Sequence, residues 1–80
     1  MIRVLLKQML DEKEFREGRR ITFAEVSKET GVSTATLTRV ANRPGYNTNT
    51  DTIDRLCRYL ECNPSQLLQH LPDSDLQQDS

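Results

Sequence analysis

Thr-Phe-Ala-Glu-Val-Ser-Lys-Glu-Thr-Gly-Val-Ser-Thr-Ala-Thr-Leu-Thr-Arg-Val-Ala-Asn, residues 22–42, decides how the rest of the chain is arranged. It holds two short helices with a glycine between them. Thr22 is a capping residue and Glu25 follows three positions later. That is the spacing of a capping box, so a helix is predicted over Phe23 to Thr30. Gly31 follows the last helical residue, where a left-handed backbone is needed and glycine takes it without steric cost. Ser33 is then a natural N-cap for a second helix over Thr34 to Asn42.

The apolar positions fix how these helices lie. Phe23, Val26 and Thr30 line one side of the first, Leu37, Val40 and Ala41 one side of the second, with Val32 between. Two short amphipathic helices cannot bury such stripes alone, so they pack on each other and on a third element. The turn Gly31-Val32-Ser33 is too short for a wide antiparallel hairpin, and a steep crossing follows: a helix-turn-helix. At 100° per residue, Ala35, Thr38, Arg39 and Asn42 face away from Leu37 and Val40, with Thr34 joining them at the N-terminal end. That face is small at its start, polar in the middle and cationic near its end. A major groove admits one helix with such a surface and offers base edges to its polar side chains.

Phe-Ala-Glu-Val-Ser-Lys-Glu-Thr (23–30) followed by Gly-Val-Ser-Thr-Ala-Thr-Leu-Thr-Arg-Val (31–40) resembles the Cro/CI-type (XRE) helix-turn-helix family of bacterial and phage repressors. The resemblance continues through Thr-Ile-Asp-Arg-Leu-Cys-Arg-Tyr-Leu (52–60) and Asn-Pro-Ser-Gln-Leu-Leu (63–68), and so covers most of the chain. It implies an all-α, compact five-helix lambda-repressor-like DNA-binding domain over residues 1–72, to which the β-prone N-terminal residues would add a short terminal β-ladder. It also implies that the loop after the second motif helix follows the DNA backbone.

The bulk numbers bound the alternatives. Eighty residues make one domain with a small core. No run of 18 apolar residues exists that would span a membrane. The apolar N-terminal residues Ile2, Val4, Leu5, Leu6, Met9 and Leu10 are too interrupted for a signal peptide, so a cytoplasmic protein is expected. The net charge of −1 argues at first against a nucleic-acid partner. It is unevenly placed, however. Residues 1–43 hold nine Lys/Arg against six Asp/Glu, a balance of +3, and residues 44–80 hold two Arg against six acids, a balance of −4. This predicts weaker nonspecific affinity than a strongly basic repressor has, not an absence of binding. Cys57 and Cys62 form no disulfide framework and lack a metal-ligand spacing, so they are read as packing residues, with no metal and no cofactor.

In the flanks, Ile2 to about Lys13 reads as the first helix, with Leu5, Leu6, Met9 and Leu10 inward. Met1-Ile2-Arg3-Val4 is also β-prone, and a strand pairing near Leu71 is the competing reading. Residues 14–20 look longer than the family's usual connection. They read either as an extension of the first helix, anchored by Phe15 and ended by Gly18, or as a carrier that sets Arg19 and Arg20 beside a phosphate. Pro44-Gly45 makes a turn, and Tyr46 either packs back on the domain, the expected role for an aromatic, or reaches the DNA backbone. Asn49 or Thr50 caps a fourth helix with Asp51 at its start, and Ile53, Leu56, Cys57 and Leu60 inward. The family often places basic residues where this chain has Thr48 to Asp51, and here there are none. Asn63-Pro64 opens a last helix running to about His70, with Leu67 and Leu68 inward. His70 sits near that helix's end, where a cation suits the dipole. The polar residues 73–80, with Asp73, Asp75 and Asp79, are expected to be a disordered acidic tail.

The leading functional expectation is a sequence-specific regulator of transcription, a repressor, that binds double-stranded DNA as a homodimer on a two-fold operator. Thr34, Ala35, Thr38 and Arg39 are the expected base readers, Arg39 by pairing with a guanine. The expected phosphate contacts are Arg19, Arg20, Thr22, Ser33, Thr36, Asn42, Arg43, Asn47 and Thr48. Two other readings compete. One is an antitoxin whose acidic C-terminal half holds a toxin. The other is a protein-interaction module that kept the fold and lost DNA binding. No nucleophile–base pair, paired carboxylates or glycine-rich phosphate cradle points to an enzyme or a small-molecule substrate.

Overall fold

The computed structural model describes residues 1–72. The chain runs β1 (Ile2–Val4), α1 (Leu6–Glu17), α2 (Phe23–Thr30), α3 (Thr34–Asn42), α4 (Thr50–Leu60), α5 (Pro64–Leu67) and β2 (Leu68–His70). Five helices thus surround one core, and the two ends of the domain meet in an antiparallel ribbon. Its register pairs Ile2 with His70, Arg3 with Gln69 and Val4 with Leu68. The ribbon is lengthened at both ends. Leu71 N–H donates to the Met1 carbonyl at 2.8 Å, and Leu5 N–H donates to the Leu67 carbonyl at 2.7 Å.

The ribbon corrects two expectations at once. The first helix begins at Leu6, not Ile2, because the β-branched Ile2 and Val4 take the extended backbone they prefer. The last helix ends at Leu67, not near His70, because Leu68, Gln69 and His70 pair with β1. His70 is therefore an exposed strand residue with no helix dipole behind it. The expected acidic tail, 73–80, lies outside the described residues.

α1 also runs on past Lys13 to Glu17, and Gly18 ends it in the left-handed conformation with φ 66°. Lys13 and Glu17 pair across one turn at 2.6 Å. Phe15 does not anchor this extension: it is 89% exposed, and Leu10 and Ile21 are the buried residues around it. What turns the chain is Glu14. Its backbone carbonyl accepts from Gly18 N–H at 2.8 Å and Arg19 N–H at 3.3 Å, while its carboxylate accepts from Ile21 N–H at 2.6 Å.

Val26, Leu37, Leu56 and Leu67, one residue from each of α2 to α5, are fully buried together with Leu6 of α1. Burying each leucine contributes about 1.5–3 kcal/mol. Ile53, Cys57, Ala41, Phe23 and Tyr46 pack at the margin of this core. Cys62 donates its backbone N–H to the Cys57 carbonyl at 3.1 Å, closing the end of α4, where Glu61 stands at φ 55°. Burial, and then the neighbouring Cys57, push the Cys62 thiol up to about 11. Among the described residues no group of three His, Cys, Asp or Glu side chains is placed to hold a metal ion.

Candidate nucleic-acid interface

The turn between α2 and α3 is built from three short-range devices. Thr22 Oγ1 accepts from Glu25 N–H at 3.2 Å and starts α2, though the Glu25 side chain does not return the bond and the box is half made. Gly31 ends α2 at φ 80°. Ser33 Oγ accepts from Thr36 N–H at 3.1 Å and starts α3. Between them sits Thr30, a buried hydroxyl that sequence periodicity had placed among apolar neighbours. It donates to the Val26 carbonyl at 2.7 Å and accepts from Val32 N–H at 3.1 Å. From α4, Arg55 Nη1 reaches over Gly31 to donate to the Thr30 carbonyl at 3.0 Å. These bonds tie the turn to α2 and α4 and fix the crossing of α2 and α3.

α3 turns Leu37 and Val40 into the core and leaves Thr34, Ala35, Thr38, Arg39 and Asn42 exposed. All four expected base readers thus share one open face, with Asn42 on the next turn. Thr38 Oγ1 donates to the Thr34 carbonyl at 2.9 Å, and Asn42 Nδ2 donates to the Thr38 carbonyl at 2.9 Å. These bonds hold the two side chains along the helix. The hydroxyl oxygen of Thr38 and the second amide hydrogen of Asn42 remain for an outside partner. Ser33 Oγ also donates to Thr36 Oγ1 at 2.9 Å, so Ser33 is occupied within the cap while the half-buried Thr36 keeps its own hydroxyl hydrogen.

Arg43 follows α3, and Tyr46 N–H donates back to its carbonyl at 3.0 Å. Pro44 and Gly45 are the central residues, and Gly45 stands at φ 79°, as the third position of a type II turn requires. Gly45 N–H donates to the Ile2 carbonyl at 3.1 Å, so β1 pins this loop from behind. Tyr46 is half-buried against the core, as expected. Arg43 and Asn47 stay exposed and Thr48 is half-buried, ahead of α4. Asn49 is the residue that caps α4, accepting from Thr52 N–H at 2.8 Å.

At the start of α2 the two arginines part company. Arg19 grips Glu25 with both terminal nitrogens at 2.8 Å and Glu17 with Nε at 3.0 Å. The hydrogen bonds from Arg19 hold the Glu25 carboxyl below its usual range, and those from Lys13 do the same for Glu17. Tyr59 joins from α4, its hydroxyl 3.5 Å from Glu25 and its ring 5.0 Å from the Lys13 ammonium. Arg19 is thus a brace joining α1, α2 and, through Glu25, α4. Its guanidinium is not held out toward a phosphate, while the exposed Arg20 has no such partner among the described residues.

Ion pairing sorts the remaining cations in the same way. Arg55 pairs with Asp51 at 2.9 Å and Arg58 with Asp54 at 3.2 Å, so the arginines of α4 are neutralised along their own helix. Arg20, Arg39 and Arg43 have no ion-pair partner among the described residues. The positive charge left unspent includes the end of α3 and the residue just after it.

No described helix is long and apolar enough to cross a membrane. A search of curated proteins finds no match to the chain. A family model does match, that of the Cro/C1-type HTH DNA-binding domain, over residues 6–73. That span runs from the first residue of α1 past the end of the ribbon. With its five helices, its capped turn at Gly31 and this match over most of its length, the chain belongs to the Cro/C1-type helix-turn-helix DNA-binding domain family.

Proposed function

We propose that this DNA-binding regulator is a cytoplasmic, sequence-specific repressor that lays α3 in the major groove and acts as a homodimer. The observation that supports this most is the open face of α3, where Thr34, Ala35, Thr38 and Arg39 stand exposed with Arg39 unneutralised. Arg39 reads a guanine through two hydrogen bonds, worth about 1–3 kcal/mol of discrimination. Thr34, Ala35 and Thr38 meet a thymine methyl or a single acceptor. Arg20, Arg43, Asn42, Asn47, Thr36 and Thr48 hold the backbone on either side, with backbone amides of Thr22 and Ser33 at the helix starts. One module reads few base pairs, so two copies on half-sites about 34–36 Å apart supply the specificity.

Selection of bound oligonucleotides from a random pool, repeated with Arg39→Ala and Arg43→Ala, tests this. Arg39→Ala relaxes base preference at one position per half-site and leaves nonspecific binding nearly unchanged. Arg43→Ala weakens all sequences alike and flattens the slope of log K against log salt by about 0.9 per subunit. An Arg39→Ala protein that selects an unaltered motif shows that α3 does not read the bases. Enrichment of no motif at low ionic strength ends the DNA-reading assignment.

A further inference from the structure

The end of α4 is made differently from the ends of α1 and α2. Gly18 and Gly31 take the left-handed turn there, but after Leu60 it falls to Glu61, at φ 55°. Glu61 is the one non-glycine residue with positive φ among the described residues, and a side chain in that region is strained. The turn brings the chain straight back onto the helix. Cys62 N–H donates to the Cys57 carbonyl at 3.1 Å, the long-range bond of a Schellman motif. Residues joined in that way frequently make an apolar contact. Here both are cysteine, and they are the only two cysteines in the chain.

Both thiols are free and half-buried, and both line a cleft of about 290 Å³ at the junction of α4 and α5. The 3.1 Å bond and standard bond lengths hold their Cα atoms within about 7 Å, and the bent path between them makes the separation shorter. That is inside the range a disulfide spans without backbone movement. The side chains converge as well. Burial raises the Cys62 thiol first, and the Cys57 thiol beside it adds to the rise. Among the described residues no third His, Cys, Asp or Glu is placed with them to hold a metal ion. We propose that Cys57 and Cys62 are a dithiol modification site, which a peroxide entering the cleft converts to an intramolecular disulfide.

One sulfur, as thiolate, attacks a peroxide oxygen. An S–O bond forms, the O–O bond breaks, and the hydroxide that leaves takes up the thiol proton as water. The second sulfur then attacks the sulfenic sulfur. The S–S bond forms, the S–O bond breaks, and a second water leaves with the remaining thiol proton. Two thiols and one hydrogen peroxide thus become one disulfide and two waters, with two electrons passed to the peroxide. Burial keeps the Cys62 thiol protonated at neutral pH, so the pair oxidises slowly and stays reduced until oxidant persists. The bond would staple the turn at Glu61. None of residues 57–62 is an expected DNA contact, so the site stands apart from the DNA-reading assignment.

The test uses the full chain. Hydrogen peroxide is added and then removed with catalase, remaining thiols are alkylated, and the intact mass is measured without reductant. The expected product is a single chain lighter by two hydrogen atoms that takes up no alkyl group, and dithiothreitol restores both thiols. Cys57→Ser and Cys62→Ser give no such product, and circular dichroism checks that they fold. A glutathione redox buffer then separates a site shaped by the fold from two thiols merely close in sequence. In it the folded chain holds the disulfide with an equilibrium constant about tenfold above that of the same chain in urea. This comparison uses the wild-type chain alone, so it decides the matter even where a serine variant unfolds. Two thiols that stay open to alkylation after peroxide overturn the proposal. So do disulfides formed only between chains, or a folded chain that holds the bond no better than the unfolded one.

Discussion

Gly31→Ala tests the geometry on which α3 depends, and its cost can be built from two separable parts. The first is the backbone. Gly31 stands at φ 80°, and an L-residue held in the left-handed region costs about 1–2 kcal/mol. The second is a neighbour. A Cβ at this position would lie 2.8 Å from Arg55 Nη1, closer than carbon and nitrogen pack. The Arg55 guanidinium is the far end of a flexible side chain, so it moves, and its 3.0 Å bond to the Thr30 carbonyl breaks. Arg55 is about half exposed and water can replace part of that bond, so the loss is about 1 kcal/mol. The two parts sum to about 2–3 kcal/mol, a large share of the stability of so small a domain.

Urea unfolding of Gly31→Ala, Arg55→Ala and the double variant apportions this. In the Arg55→Ala background the glycine substitution falls to its backbone part, leaving a coupling of about 1 kcal/mol between the sites. Gly31→Asn separates the parts in another way. Asparagine tolerates the left-handed region better than alanine but carries the same Cβ, so it keeps the collision and sheds some of the strain. A Gly31→Ala cost below about 0.5 kcal/mol, or additive single and double variants, would refute the reasoning.

Thr30→Val keeps the shape of the side chain but leaves the buried Val32 N–H without its acceptor, which costs about 1–3 kcal/mol in the same unfolding assay. Glu25→Gln changes how stability responds to acid. The hydrogen bonds from Arg19 hold the Glu25 carboxyl below its ordinary value, so its stabilisation is present above that ordinary value and is lost as pH falls through the lowered pKa. The melting temperature of Glu25→Gln should therefore fall less between neutral and acid pH than that of the wild-type chain. Equal falls would show that the Arg19 brace adds nothing. If Arg20 and Arg43 are the cationic phosphate contacts, a dimer neutralises about four phosphates and log K falls with log salt at a slope near −3.6. Filter binding over a range of salt checks this, and a slope twice as steep would mean that further cations reach the backbone.

Where the sequence was legible, the cause was local. Thr22, Ser33, Asn49 and Asn63 each bond within the next turn, and Gly31 meets a demand set by its own backbone angle. The bounds of α2 and α3 can therefore be read from neighbours three or four residues away. The ribbon could not be fixed that way. Ile2 and His70 lie at opposite ends of the domain, and either end taken alone also carries leucines at helical spacing. Only their pairing turns the balance toward strand. Phe15 misled for a related reason: it is apolar and well placed to end a helix stripe, but Ile21, returned by Glu14, takes the buried place instead. The role of Arg19 was hidden because its partners come from α1 and α2 together. Glu25, expected to complete a cap, binds Arg19 with both oxygens.

That redistribution bears on how a chain with a net charge of −1 can serve a DNA-binding fold. Total charge is a poor guide because cations and acids are not free in equal measure. Lys13, Arg19, Arg55 and Arg58 are each bound to Glu17, Glu25, Asp51 or Asp54, so four cations and four acids cancel one another within about a turn of structure. Among the described residues no acid is so placed at the end of α3, and Arg39 and Arg43 stand unpaired one helical turn apart. The Debye length at physiological ionic strength is about 8 Å, so a phosphate beside that end of α3 responds to the unpaired arginines next to it more than to the net charge of the whole chain. A protein with few phosphate-directed cations gains little from backbone attraction alone, and a larger share of its affinity must come from base contacts and from pairing of copies. The open face of α3, with Thr34, Ala35, Thr38 and Arg39 exposed, is the surface on which base contacts would fall.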